Sequence, residues 1–160
     1  LTDDYARLQA SKVIFEVLNK RDLGSSRGDI AYQGNDRFTI NLRGTDPTGL
    51  TTNQRLAHEF EHGRQVLDGE LSFHNYTPGK WLPFVIDLTD EAKGFLASFD
   101  IERASPGQGP LLNSLQQAID SGGIAGGAAR LSRGTSYQNL PKGPLNVPRS
   151  IPPAIYRPPQ

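Results

Sequence analysis

Apolar residues recur at helical spacing over the first twenty positions. Tyr5, Leu8, Phe15 and Leu18 share one stripe, widened by Val13, Ile14 and Val17. Acidic residues open this stretch and Lys20-Arg21 close it, as the helix dipole favours, so the pattern predicts a helix over 3–20. Gly24-Ser25-Ser26 ends it. The period then shortens to two. Phe38, Ile40 and Leu42 alternate with Arg37, Thr39 and Asn41, which predicts a strand over 37–42 with one face buried. A strand over 29–33 precedes it across the turn-favouring Gly34-Asn35-Asp36, and the two imply a short antiparallel sheet. Thr51-Thr52-Asn53-Gln54 then reads as a capping box. It opens a helix over 51–67 marked by Leu56, Phe60, Gly63 and Leu67, with Gly69 as its stop. Residues 69–86 hold Gly69, Pro78, Gly79 and Pro83 and predict an ordered loop anchored by Trp81. Thr89 is placed to cap a helix over 90–103 with Ala92, Phe95, Leu96 and Phe99 inward, and a shorter helix fits 110–120.

Composition divides the chain. Charges balance at 17 basic and 17 acidic in 160 residues, so nothing in the global charge points to nucleic acid or an anionic membrane. The balance hides an asymmetry: residues 1–104 carry 12 basic and 16 acidic residues, whereas beyond them stand five basic residues and only Asp120. Seven of the twelve prolines fall after residue 140, where their spacing favours extended, polyproline-like chain. The expected organisation is an α+β core over 1–104, a short helix and Gly-rich extension over 105–139, and a Pro-rich tail over 140–160. No apolar run approaches the roughly 18 residues of a membrane span, and the first residues do not read as a signal peptide. With no cysteine, disulfides, thiolate nucleophiles and Cys-containing zinc sites are excluded, so any metal must be held by histidine and carboxylate.

The chemistry concentrates in Leu56-Ala57-His58-Glu59-Phe60-Glu61-His62, an H-E-x-x-H pattern. On a helix, positions i and i+4 share a face one turn apart, so His58 and His62 can grip one ion. Glu59, beside the first of them, reaches a water bound to that ion. This is the arrangement of a zinc-dependent hydrolase, in which zinc lowers the water's pKa toward ~7 and the glutamate takes its proton. The alternative is a solvated helix face that carries two histidines.

This segment resembles the active-site helix of the H-E-x-x-H metallopeptidases, and the order helix, strands, motif helix and second helix fits their small catalytic cores. The resemblance implies a protein or peptide substrate, and an edge strand along the cleft, the place of residues 37–42 here. Two positions depart from the family's usual form: Glu61 is charged where uncharged residues are usual, and Arg64 stands where an apolar one is. Three apart, they can pair on an exposed face. The third ligand decides the branch. In metzincins it lies six residues after the second histidine, where Asp68 stands. That branch needs a glycine at the position of Gln65 and a methionine turn, and this chain has no methionine. In gluzincins it is a glutamate from a later helix, which fits Glu91, 29 residues after His62. Glu91 is the first choice, and Asp68, Asp87, Asp90 and Glu70 remain open. An acid at a helix start is also common for its effect on the dipole alone. His74 and Tyr76, on the loop between the two ligand helices, are candidate donors to the developing oxyanion.

Asp46-Pro47-Thr48-Gly49-Leu50 resembles the D-P-x-G-L at the junction of shell and toxin in bacterial Rhs-type polymorphic toxins, some of which end in H-E-x-x-H metallopeptidase domains. An ordinary Pro-Gly loop is the other reading. The missing methionine and the Gly/Pro-rich end suit a domain of a larger polypeptide, secreted or delivered into a target cell. The leading expectation is thus a zinc endopeptidase of effector or toxin type. Two alternatives stand beside it: a non-catalytic, metal-stabilised binding module whose Pro-rich tail holds a partner, and a metal hydrolase acting on a non-peptide amide.

Overall fold

The computed structural model describes residues 2–11, 14–20, 28–34, 37–43, 49–68, 70–73, 84–134 and 137–143. It combines helix with a small amount of sheet and is mostly helical. The described residues fall into two compact units, one drawn from Leu1–Gly44 and Glu59–Val85, the other from Thr45–His58 and Ile86–Asn146. No helix among them is long and apolar enough to cross a membrane.

In the first unit, helix α1 (Thr2–Ala10) is followed by strand β1 (Ile14–Lys20). The helix expected over 3–20 therefore stops halfway. Ser11 closes it: its N–H donates to Arg7 and Leu8 oxygens, and its Oγ donates to Leu8 O at 2.7 Å. The β-branched and aromatic residues Ile14, Phe15 and Val17 lose side-chain freedom in a helix and favour a strand. Leu8 is buried, and Tyr5 stacks on Phe60 with ring centroids 5.8 Å apart.

Strands β2 (Gly28–Gly34) and β3 (Arg37–Arg43) follow, and the sheet order is β1-β3-β2. The expected antiparallel sheet is corrected to a mixed one. β2 runs antiparallel to β3, with Ile30 opposite Ile40, but β1 runs parallel to it, with Val17 opposite Ile40. β3 is therefore the central strand and offers no free edge for a substrate backbone, contrary to the place expected for residues 37–42. Both faces of β3 are buried. Phe38, Ile40 and Leu42 are inside as the alternation requires, and Thr39 and Asn41 on the other face are buried as well. β4 (Ser72–Phe73) and β5 (Phe84–Val85) form a second, two-stranded antiparallel ladder in the segment expected to be a loop. Trp81 lies outside the described residues.

Helix α2 (Thr52–Leu67) is the motif helix. Its capping box forms as the sequence requires: Gln54 N donates to Thr51 Oγ1 at 3.3 Å, and Thr51 N to Gln54 Oε1 at 2.9 Å. Helix α3 (Leu88–Ile101) is capped by Asp87 rather than Thr89. The Asp87 carboxylate accepts from Thr89 N and Asp90 N, and Asp90 Oδ2 accepts from Asp87 N, a reciprocal box that holds the helix start rigid. In the second unit the buried Gln54 ties α2 to the end of α3. Its Nε2 donates to Glu102 O at 2.7 Å, and Ser98 Oγ donates to Gln54 O at 2.8 Å.

α3 packs against α4 (Pro110–Leu131) around Leu88, Ala92, Phe95, Phe99, Leu112, Leu115, Ile119 and Leu131. The Gly-rich stretch is itself helical on either side of one break, and its second arm folds back on the short helix expected over 110–120. α4 is a helical hairpin, broken at Gly123, where φ is 59°. Arg130 Nε donates to Ser114 Oγ at 2.9 Å across the hairpin. Glycine is needed because the two arms touch. A Cβ on Gly126 would run into the backbone oxygen of Ala118, and one on Gly127 would stand 2.7 Å from Ile119 Cγ1. After α4 the chain returns over α3: Tyr137 meets Phe95 edge-on at 6.0 Å, and Pro141 O accepts from Leu88 N at 2.9 Å. That bond satisfies one of the orphan amides at the start of α3.

The hairpin makes a paired prediction. Gly126→Ala should destabilise by about 1–3 kcal/mol through overpacking. Gly122→Ala, where nothing lies within 4 Å of the added Cβ, should stabilise by about 0.5–1 kcal/mol. Urea midpoints of the two variants check the opposite signs.

Candidate metal centre

α2 is one unbroken helix, so His58 and His62 stand one turn apart on the same side by helix geometry alone. Both are buried, at 8% and 2% exposure. Glu91 sits one turn after the Asp87 cap, with its N–H on Asp87 O at 3.0 Å. That rigid start aims its carboxylate at His58, and Nε2 and Oε2 are 3.3 Å apart. One ligand atom from each of His58, His62 and Glu91 falls within 4.8 Å of the others.

These donors suit a divalent ion. Two imidazoles and one carboxylate form a set that zinc uses in catalytic sites, with a fourth position left for solvent. Two donors on one tetrahedral ion, each bonded at about 2.0–2.1 Å, stand about 3.3–3.4 Å apart. The His58–Glu91 spacing of 3.3 Å has that value. It is also the spacing of a plain imidazolium–carboxylate pair, but such a pair has no need of His62.

Close helix contact keeps the site in shape. Gly94 is three residues after Glu91 on α3, and a Cβ there would lie 2.8–2.9 Å from three atoms of the His58 ring. Phe95 meets the same ring edge-on at 4.8 Å and is itself backed by Tyr137. His62 is held from its own helix, with Nδ1 at 2.9 Å from Gln65 Oε1.

The other carboxylates weighed as third ligand are engaged elsewhere. Asp68 pairs with Arg7 and Arg64. Glu70 lies 3.6 Å from Arg64 Nη1. Asp87 and Asp90 form the α3 capping box. Glu61 and Arg64 pair as their spacing suggests, at 2.6 and 2.8 Å. The hydrogen bond to Glu61 raises the Arg64 pKa above its usual value, and the charges of Glu61, Glu70 and Asp68 add to this against the effect of burial. Glu59, beside His58, is buried at 7% exposure. His74 and Tyr76, and Asp46-Pro47-Thr48 of the D-P-x-G-L segment, lie outside the described residues.

Gly94 and Gln65 were not among the expected site residues. Each had a signal in its spacing, three residues after a proposed ligand on the same helix, where side chains are neighbours. Gly94→Ala should push the His58 ring off its position. It should cost about 1–3 kcal/mol by overpacking and weaken Zn2+ binding, measurable by urea unfolding and by competition with a chromogenic chelator.

No family model, no curated protein and no solved structure matches this chain, so the reading of the centre rests on its own residues.

Proposed function

We propose that the chain is a zinc-dependent hydrolase whose substrate class is the peptide bond. The observation that carries the reading is the convergence of His58, His62 and Glu91, with Glu59 on the same helix. His58 and His62 present imidazole nitrogens, and Glu91 supplies a carboxylate oxygen. Zinc bound there supplies Lewis acidity, polarising a carbonyl and making water acidic near neutral pH. Glu59 takes the proton from the attacking water and returns it to the leaving amine. Glu59 is buried, so its carboxylate is kept out of bulk solvent.

Support for peptides over other amides comes from the resemblance of the motif helix to the H-E-x-x-H metallopeptidases, now without help from β3. A role outside the producing cell, as an effector or toxin domain, rests on the D-P-x-G-L resemblance alone. A structural zinc site is the competing reading. It would be closed by a fourth protein ligand, whereas the group formed by the described residues has three members.

Metal analysis of the purified protein should give about one zinc per chain. Glu59→Gln should keep that zinc and lower peptide hydrolysis by about 10²–10⁴-fold. Glu91→Ala should lose the metal. An unchanged rate in Glu59→Gln removes the base assignment, and full zinc retention in Glu91→Ala moves the third ligand elsewhere.

A further inference from the structure

Gln65 is fully buried, and its Oε1 faces His62 Nδ1 at 2.9 Å. An amide has an oxygen on one side and an NH2 on the other, so its facing decides which nitrogen of a neighbouring neutral histidine carries the proton. Here that facing is fixed from behind. Gln65 Nε2 stands 3.4 Å from Glu61 Oε1. A carboxylate only accepts, so the NH2 side must point to Glu61 and the oxygen to His62. Glu61 is held in turn by the Arg64 fork, Nη2 to Oε1 at 2.6 Å and Nε to Oε2 at 2.8 Å, a two-point grip that fixes the plane of the carboxylate. The backbone oxygen of Gln65 accepts from Glu70 N at 2.8 Å, which tightens the last turn of α2 around it.

The geometry points to a relay, Arg64 to Glu61 to Gln65, that holds neutral His62 in its Nδ1–H tautomer and so leaves Nε2 as the lone-pair nitrogen for the ion. Gln65 is a positioning residue in this relay, which rests on the metal-centre reading above. The relay gives a use to Glu61 and Arg64, the two residues that depart from the usual metallopeptidase pattern. It also gives one to Gln65 in the place where metzincins need glycine. Its terminal acceptor is a neutral amide. It orients the ring as a carboxylate would, but raises the basicity of the imidazole less.

The test reads the tautomer directly, by long-range 1H–15N correlation of the metal-free protein labelled at its three histidines. Wild-type His62 should show Nδ1–H. Gln65→Leu should shift it toward the Nε2–H form that dominates in free histidine, whereas Gln65→Glu, which keeps an acceptor oxygen, should retain Nδ1–H. Zn2+ affinity should fall about 10–100-fold in Gln65→Leu. Glu61→Leu changes a residue that is only partly buried and serves if Gln65→Leu does not fold. Freed of its anchor, the amide can turn, and His62 should become a mixture of tautomers. A wild-type ring in the Nε2–H form, or a ring that stays Nδ1–H in both Gln65→Leu and Glu61→Leu, overturns the relay. A wild-type protein with Nδ1–H that takes up no zinc leaves the relay standing and overturns the metal-centre reading instead.

Discussion

The approach of α3 to the His58 ring is the contact on which the centre depends. At Gly94 there is no room for even a methyl group, so the imidazole lies against bare helix backbone. That closeness brings Glu91, one turn earlier on α3, within 3.3 Å of His58 Nε2. It is maintained from three directions within the same unit. Gln54 and Ser98 bond α2 to the far part of α3. The Asp87 box fixes the near end. Tyr137 and Pro141 press the returning chain onto Phe95 and Leu88. These contacts restrain His58 and Glu91 within that unit, which lowers the ordering entropy that would oppose binding.

The composition of α2 fits such a role better than a packing role. Gln54, Arg55, His58, Glu59, His62 and Gln65 are all buried on this one helix. Taking a polar side chain out of water costs on the order of 1–3 kcal/mol unless partners replace the water. A helix that only filled a core would carry leucine at these positions. For the two glutamines the cost is offset locally. Gln54 is bonded through both amide atoms, Gln65 bridges His62 and Glu61, and Glu61 is clasped by Arg64.

Much of this was legible from short-range pattern. The Thr51–Gln54 capping box, the motif helix and the alternation of Phe38, Ile40 and Leu42 follow from spacing within a turn or a pleat, whereas Glu91, on a separate helix, was expected only from the resemblance to gluzincins. What was missed depends on contacts that spacing does not carry. Residues 14–20 fit a helical stripe and a strand equally well, and only pairing with β3 decides the matter. The resemblance to the metallopeptidases implied an edge strand at β3, and nothing in the sequence shows the parallel strand on its other side. Of the glycines in the Gly-rich extension, Gly123 does break the helix, whereas Gly126 and Gly127 are small because two helical arms touch there. Thr89 and Asp87 are both good caps by residue type, and the reciprocal bond with Asp90 favours Asp87.

The most direct test of the account is a crystal of the zinc-soaked protein measured on both sides of the zinc absorption edge. A single anomalous peak is expected about 2.0–2.2 Å from a ring nitrogen of His58, a ring nitrogen of His62 and a carboxylate oxygen of Glu91, with solvent in the remaining position. Rings that point away from each other with no peak between them, or a peak held by other residues, would contradict it.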